Sequence, residues 1–177
     1  MLARHPRIDL LVNNAGVGAR AGFLDAEPER IEEVLRVNYL GTVWVTRAFL
    51  PGLHRGAHVA NVVSVAGTVA VGPYSASKHA QLGCSRSLAV ELAPRGVSVH
   101  TVNPGFVETE GFPQRGRFPG LAGRLVARPE LVATRLLDAV AHDRREIFVP
   151  RWYRPAAWAQ ALVPGLVARA QRRPSTS

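Results

Sequence analysis

The stretch Ile8-Asp9-Leu10-Leu11-Val12-Asn13-Asn14-Ala15-Gly16 opens on a short apolar run and breaks into a polar, glycine-ended turn. A run this short, apolar at successive positions, predicts a strand buried on both faces, Ile8–Val12, followed by a turn. The period then changes. Between Pro28 and Leu50, residues Ile31, Val34, Leu35, Asn38, Thr42, Val45 and Phe49 fall on one helical stripe. Pro28 suits the first helical turn, and Glu27 and Glu29 complement the positive end of the helix dipole. The alternation continues with a β-branched strand over His58–Val65 and a helix over Tyr74–Ala93, closed by Pro94-Arg95-Gly96. A strand over Val97–Val102 leads to Asn103-Pro104-Gly105 and a Gly/Pro-rich loop, Glu108–Gly123. A helix over about Glu130–His142 and a short strand, Glu146–Pro150, complete the pattern. Apolar strands separated by helices predict an α/β domain with a doubly wound parallel sheet.

Ligands of such sheets bind beyond the C-terminal ends of the strands. Three polar turns, Asn13–Gly16, Ser64–Gly67 and Asn103–Gly105, fall at those ends and predict one shared rim. The chain divides into a domain over residues 1–150 and a basic, amphipathic tail over 151–177. The net charge of +9 is concentrated in the last third: residues 112–177 hold twelve Arg against four acidic residues. Without a basic face in a recognisable nucleic-acid-binding context, this charge reads as a solvated Arg-rich surface, and nucleic acid is not an expected partner. The tail sets Trp152, Trp158, Leu162, Leu166 and Val167 among arginines. Packing on the domain or on a partner subunit is the favoured reading; contact with a membrane surface is the lesser one. No run approaches the roughly 20 apolar residues of a membrane span, and Leu10–Val12 is too short for a signal peptide core. The single Cys84 suits a reducing, cytoplasmic setting and reads as a small packed residue.

The chemistry centres on Tyr74 and Lys78. Four residues apart at a helix start, they share one face. A free phenol, with a pKa near 10, is too weak an acid to exchange protons readily at neutral pH. An adjacent ammonium is expected to lower that pKa and make Tyr74 a general acid/base. Composition sharpens the reading: the chain holds 21 Arg and one Lys, and the one Lys is Lys78. Ser64, at a strand end, could stabilise charge developing on a substrate oxygen, or could simply close a turn. Asn38 is the polar exception on the helical stripe, so it must be hydrogen-bonded inside, either to backbone or to a water in a proton relay. No metal site is expected.

Five segments together resemble the short-chain dehydrogenase/reductase family, in that family's order. They are Asn13-Asn14-Ala15-Gly16; Asn38 before Tyr39-Leu40-Gly41; Ser64-Val65-Ala66-Gly67; Tyr74-Ser75-Ala76-Ser77-Lys78; and Asn103-Pro104-Gly105-Phe106-Val107-Glu108-Thr109. The resemblance spans residues 8–150 and implies a Rossmann-like fold and NAD(P)-dependent interconversion of an alcohol and a carbonyl. It implies Tyr74, Lys78, Ser64 and Asn38 as the catalytic set, with Asn38 holding a relay water. It implies Asn13, Ala15, Gly16, Tyr74, Lys78, Pro104, Gly105 and Thr109 around NAD or NADP. The substrate would be a small alcohol or ketone, apolar if Phe112 and Phe118 line its lid, and the assembly a homo-oligomer.

Two departures from the family pattern carry expectations. The family's Gly-rich strand-to-helix turn, which cradles the cofactor pyrophosphate, is not in this sequence. An N-terminally truncated sheet is therefore expected, with the Leu10–Val12 strand at its edge and weak cofactor binding. A catalytically inactive remnant, persisting as an interaction module, is the alternative to an enzyme. Second, the separation of Ser64 from Tyr74 is shorter than usual in the family, so the Thr68–Pro73 loop is expected to be tight and to test whether the two side chains meet.

Overall fold

The computed structural model describes residues 4–19, 21–69, 72–108 and 126–171. Four strands form one parallel sheet in sequential order: β1 (Ile8–Asn13), β2 (Leu53–Val62), β3 (Ser98–Pro104) and β4 (Glu146–Val149). The connections are helical. A long segment made of α1 (Pro28–Leu35), a π-helical turn (Arg36–Leu40) and α2 (Gly41–Phe49) joins β1 to β2. A one-turn helix α3 (Ala66–Val69) and the 20-residue α4 (Pro73–Leu92) join β2 to β3. Helix α5 (Pro129–Ala141) precedes β4, and α6 (Arg154–Leu162) and α7 (Pro164–Gln171) are the last described elements.

Both faces of the sheet are covered, as the uniformly apolar strands require. On one face Leu11, Val59 and Val99 pack against Leu92, Leu88 and Ala89 of α4 and Phe49 of α2. On the other, Ala60, Val102 and Val149 pack against Val132, Leu136 and Val140 of α5. Val59, Val99 and Val102 are essentially inaccessible to solvent, and each such side chain contributes roughly 1.5–3 kcal/mol through burial. Strand β1 has no outer strand neighbour among the described residues, and Val12 on it stays 43% exposed. The tail packs on the domain: Tyr153 and Ala157 join Val65 and Phe148 in a third apolar cluster beside the strand ends. Trp152, Trp158, Leu162 and Leu166 remain exposed, and no helix among the described residues is long and apolar enough to cross a membrane.

Two features depart from the sequence pattern. The helical stripe holds through Val34, Asn38 and Thr42, but then Thr46 is buried and Val45 is half exposed. The π-helical turn accounts for this: one extra residue per turn advances the inward face by one position, from 45 to 46. Strand β2 begins at Leu53 instead of His58. Its register on β1 jumps between Ile8↔Leu53 and Leu10↔His58, and Gly56 takes φ 88° within the irregular stretch. A glycine adopts that angle without steric cost.

Candidate active site

Strand ends and one helix start build the site. Helix α4 begins at Gly72, whose φ of 96° turns the chain, followed by Pro73 in the first helical position. Tyr74 and Lys78 therefore stand on the first turn and a half, where the positive end of a 20-residue helix dipole favours negative charge on the Tyr74 oxygen. Serines anchor this turn. Ser75 donates to the Ala66 carbonyl (2.6 Å), tying α4 to α3, and Ser77 donates back to the Tyr74 carbonyl (2.7 Å). The Gly67 backbone lies directly against α4: a methyl added there would come within 2.8 Å of the Lys78 carbonyl oxygen. Only glycine permits that approach.

The short loop brings Ser64 and Tyr74 together instead of holding them apart: the Ser64 side chain hydrogen-bonds the Tyr74 hydroxyl. Ser64 also accepts from the Ala66 amide (3.1 Å) and lies 3.5 Å from the Pro104 carbonyl oxygen. Its hydroxyl is fixed by turn geometry and faces the phenol.

Lys78 is 3% exposed. Its Nζ donates to the Val62 carbonyl (3.1 Å) and to Gln81 Oε1 (2.7 Å), and lies 5.9 Å from the centre of the Tyr74 ring. Among the described residues this commits two of its three donors. Burial pushes the ammonium down to about 8, so it is still charged at neutral pH. The expected lowering of the Tyr74 pKa is not what the fold gives. Burial is the larger influence and raises it, and the Ser64 hydrogen bond works in the other direction. The resting group is thus a neutral phenol.

Asn38 sits on the π-helical turn, fully buried. Its Oδ1 accepts from the Val17 amide (2.8 Å), and its Nδ2 donates to the Val17 carbonyl (3.0 Å) and to Ser77 Oγ (2.9 Å). The side chain pins the rim turn after β1 to α4. Both donors of the amide are used, so a water at Asn38 would have to donate to Oδ1 or bond the backbone. Asn13 likewise turns inward, donating to Thr46 Oγ1 (3.0 Å) and Asn61 Oδ1 (2.8 Å). Its side chain is therefore turned into the interior, between β1, β2 and α2. Ala15 and Gly16 are exposed on that rim, and a methyl on Gly16 would stand 3.3 Å from Asn38 Oδ1 and 3.5 Å from Lys78 Nζ. Pro104 ends β3, its carbonyl accepting from Val65 (2.8 Å), and Gly105 lies so close to the Tyr153 ring that any side chain would overlap it. Thr109, Phe112 and Phe118, with most of the expected lid, lie outside the described residues.

Sequence reading missed Gln81. It is fully buried, holds Lys78, and donates from Nε2 to Thr42 Oγ1 (2.9 Å), which donates to the Asn38 carbonyl (3.2 Å). Its position three residues after Lys78, on the same helix face, was the available signal. Cys84 is half buried and its thiol pushed up by burial, as a packed, unreactive cysteine would be. The apolar groove lined by Val126, Leu131, Pro150 and Trp152 includes none of Tyr74, Lys78 or Ser64.

Fold and site define a Rossmann-like α/β protein with a Tyr-x-x-x-Lys pair, and a serine facing the tyrosine, at the C-terminal rim of its sheet. The chain belongs to the short chain dehydrogenase family, which it matches over residues 1–118. It is 35% identical over 155 residues to dehydrogenase/reductase SDR family member 7B of Xenopus laevis, covering 81% of this chain and 48% of that protein. It is 32% identical over 174 residues to 17-beta-hydroxysteroid dehydrogenase 13 of Rattus norvegicus, covering 94% and 57%. A short chain dehydrogenase of Burkholderia cenocepacia, crystallised in complex with NADP, has a similar fold with a TM-score of 0.82 at 30% identity, covering 97% of this chain and 72% of that one. The chain spans about half the length of the curated relatives it matches.

Proposed function

We propose that this chain carries the reacting end of an NAD(P)-dependent oxidoreductase that interconverts an alcohol and a carbonyl. One observation carries the reading: a neutral Tyr74 hydroxyl, hydrogen-bonded to Ser64, beside a lysine buried at the strand ends. Burying an ammonium is costly. A non-catalytic interaction module has no use for one there, which favours the enzyme over the inactive remnant.

The residues present fit the nicotinamide end of the cofactor. The Ala15-Gly16 turn is exposed, and Gly16, without a side chain, lies against Asn38 Oδ1 and Lys78 Nζ, which keeps the backbone of the turn open on its solvent side to a ring or ribose. Ala15, Gly16, Lys78, Pro104 and Gly105 would hold that end. When bound, NADH or NADPH supplies the hydride for carbonyl reduction. Tyr74 donates its proton to the substrate oxygen, and Ser64 donates a hydrogen bond to the same oxygen, stabilising the charge that develops there. The Lys78 ammonium stabilises the phenolate left behind, and Gln81 holds that ammonium in place. Because Tyr74 rests protonated, the site is poised for reduction near neutrality. Oxidation, which needs the phenolate, should quicken as pH rises. The substrate class that fits is a small ketone or alcohol, in a homo-oligomeric enzyme.

The adenosine half of the cofactor finds no Gly-rich strand-to-helix turn among the described residues. The 177-residue chain by itself should therefore bind NADPH more weakly than micromolar. Fluorescence titration of NADPH checks this; a micromolar dissociation constant would refute it.

A further inference from the structure

A second cluster of ligating groups lies on the opposite face of the sheet from α4. His58 on β2 and His100 on β3 are diagonal neighbours on the face that also carries Ala60 and Val102 and that α5 covers. Their rings stack with centroids 5.1 Å apart, and His58 Nδ1 lies 2.9 Å from His100 Nε2. The other nitrogen of His100, Nδ1, lies 2.9 Å from the Arg144 carbonyl oxygen. A carbonyl can only accept, so that nitrogen carries the proton and the neutral ring presents its lone pair at Nε2, toward His58. Asp143 supplies a third donor: one carboxylate oxygen and the two imidazole nitrogens lie within 4.8 Å of one another.

The backbone supports this arrangement. Asp143 follows the end of α5 with φ 49°, the left-handed position where glycine is the usual choice. Aspartate tolerates that angle better than most residues, and here it brings a carboxylate over the histidine pair. Its Oδ2 accepts from Arg145 (2.9 Å), which orients the group. His100 is fully buried, His58 is partly exposed and the Asp143 side chain is 54% exposed, so the cluster has one side toward solvent.

We propose that His58, His100 and Asp143 form a binding site for a divalent transition-metal ion of the zinc class. Two histidines and a carboxylate are a common donor set for such ions, with water completing the coordination. Nitrogen ligands at ordinary bond lengths stand about 2.9 Å apart in cis octahedral geometry and about 3.3 Å apart in tetrahedral geometry, so the spacing of the pair suits an ion, and the rings turn from facing each other to face it. The Arg144 carbonyl is the outer partner that fixes the His100 tautomer. On binding, the proton of His58 Nδ1 moves to Nε2 or to solvent, and both lone pairs face the ion. The site lies well back from the C-terminal strand ends and from Tyr74 on α4, so its role is to tie β2, β3 and the turn before β4 together and not to act on substrate.

Cobalt(II) is the probe, because its visible absorption reports coordination directly. Titration of the 177-residue chain with cobalt(II) chloride should show one ion per chain, displaceable by zinc. His58→Asn and Asp143→Gly should each weaken binding at least tenfold. Both variants should stay folded, since asparagine can still donate to His100 and glycine relaxes the left-handed backbone; circular dichroism checks this. At the same zinc concentration the melting temperature should rise more for the natural chain than for Asp143→Gly. Among the described residues, the surface pairs His54–Asp9 and His142–Asp138 are the His–carboxylate pairs that could compete. Cobalt binding that survives His58→Asn but is lost in a His54→Asn/His142→Asn variant would overturn the proposal, as would no saturable binding below millimolar concentration.

Discussion

Tyr74→Phe is expected to lower carbonyl reduction on the order of a thousandfold while leaving NADPH affinity within about twofold. The substitution removes one hydroxyl and keeps the ring, so the packing beside Lys78 survives. What is lost is the proton donor and the hydrogen bond to Ser64. The residual rate measures what Ser64 and the Lys78 ammonium contribute to stabilising the developing alkoxide. The pH profile is a second readout. Because burial holds the Tyr74 pKa above its ordinary value of 10.0, reduction by the natural chain should not fall from titration of this phenol until well above neutral pH, and oxidation should climb over the same range. Steady-state rates between pH 6 and 10, at saturating NADPH or NADP, test this. Reduction that switches off near pH 7 in step with the phenol would mean Tyr74 titrates far lower than its burial dictates.

Lys78→Met should cost about a hundredfold or more in turnover, and it should also change how stability depends on pH. In the folded chain the ammonium titrates at about 8, against 10.5 when exposed. Between those values the unfolded chain binds the proton that the folded chain has released, so folding stability rises with pH across that window. The full rise is about 3 kcal/mol, complete only above the upper value. Below pH 8 both states are protonated and the contribution is flat, with the burial penalty in force. Lys78→Met removes the group and flattens the window. Urea unfolding at pH 7, 8.5 and 10 should show a steeper increase for the natural chain than for the variant. Equal slopes would mean Lys78 is more solvated than its 3% exposure implies.

Much of this fold can be read in the chain. Uniformly apolar runs such as Leu10–Val12 demand cover on both faces, and α4 and α5 provide it around β2 and β3. Tyr74 and Lys78 are legible because a helix places residues four apart on one face and because Lys78 is the one lysine among so many arginines. The rest depends on three-dimensional effects without a one-dimensional trace. Hydropathy assigns Val45 inward, but an extra residue in the π-helical turn rotates Thr46 there instead. Tyr74 beside a lysine suggests a lowered pKa, yet the fold buries the phenol deeply enough to reverse the sign. Asn13 and Asn38 belong to motifs of the site, but their amides are used inside, holding β1 to β2 and the rim turn to α4. Between Ser64 and Tyr74 the chain forms the one-turn helix α3 (Ala66–Val69), and the two side chains meet, which a count of residues cannot foresee.

The central claim, that this rim exchanges a hydride and a proton with a carbonyl, is tested most directly by isotope transfer. The chain is incubated with millimolar NADPH deuterated at the transferable position and a panel of small apolar ketones, and the alcohols are analysed by mass spectrometry. Millimolar cofactor compensates for weak affinity, so a single turnover is enough. Deuterium should appear at the carbinol carbon of at least one alcohol, and the signal should vanish in Tyr74→Phe and in Lys78→Met. Alcohol formed equally by the natural chain and by both variants, or no deuterium transfer to any ketone at saturating cofactor, would contradict the account.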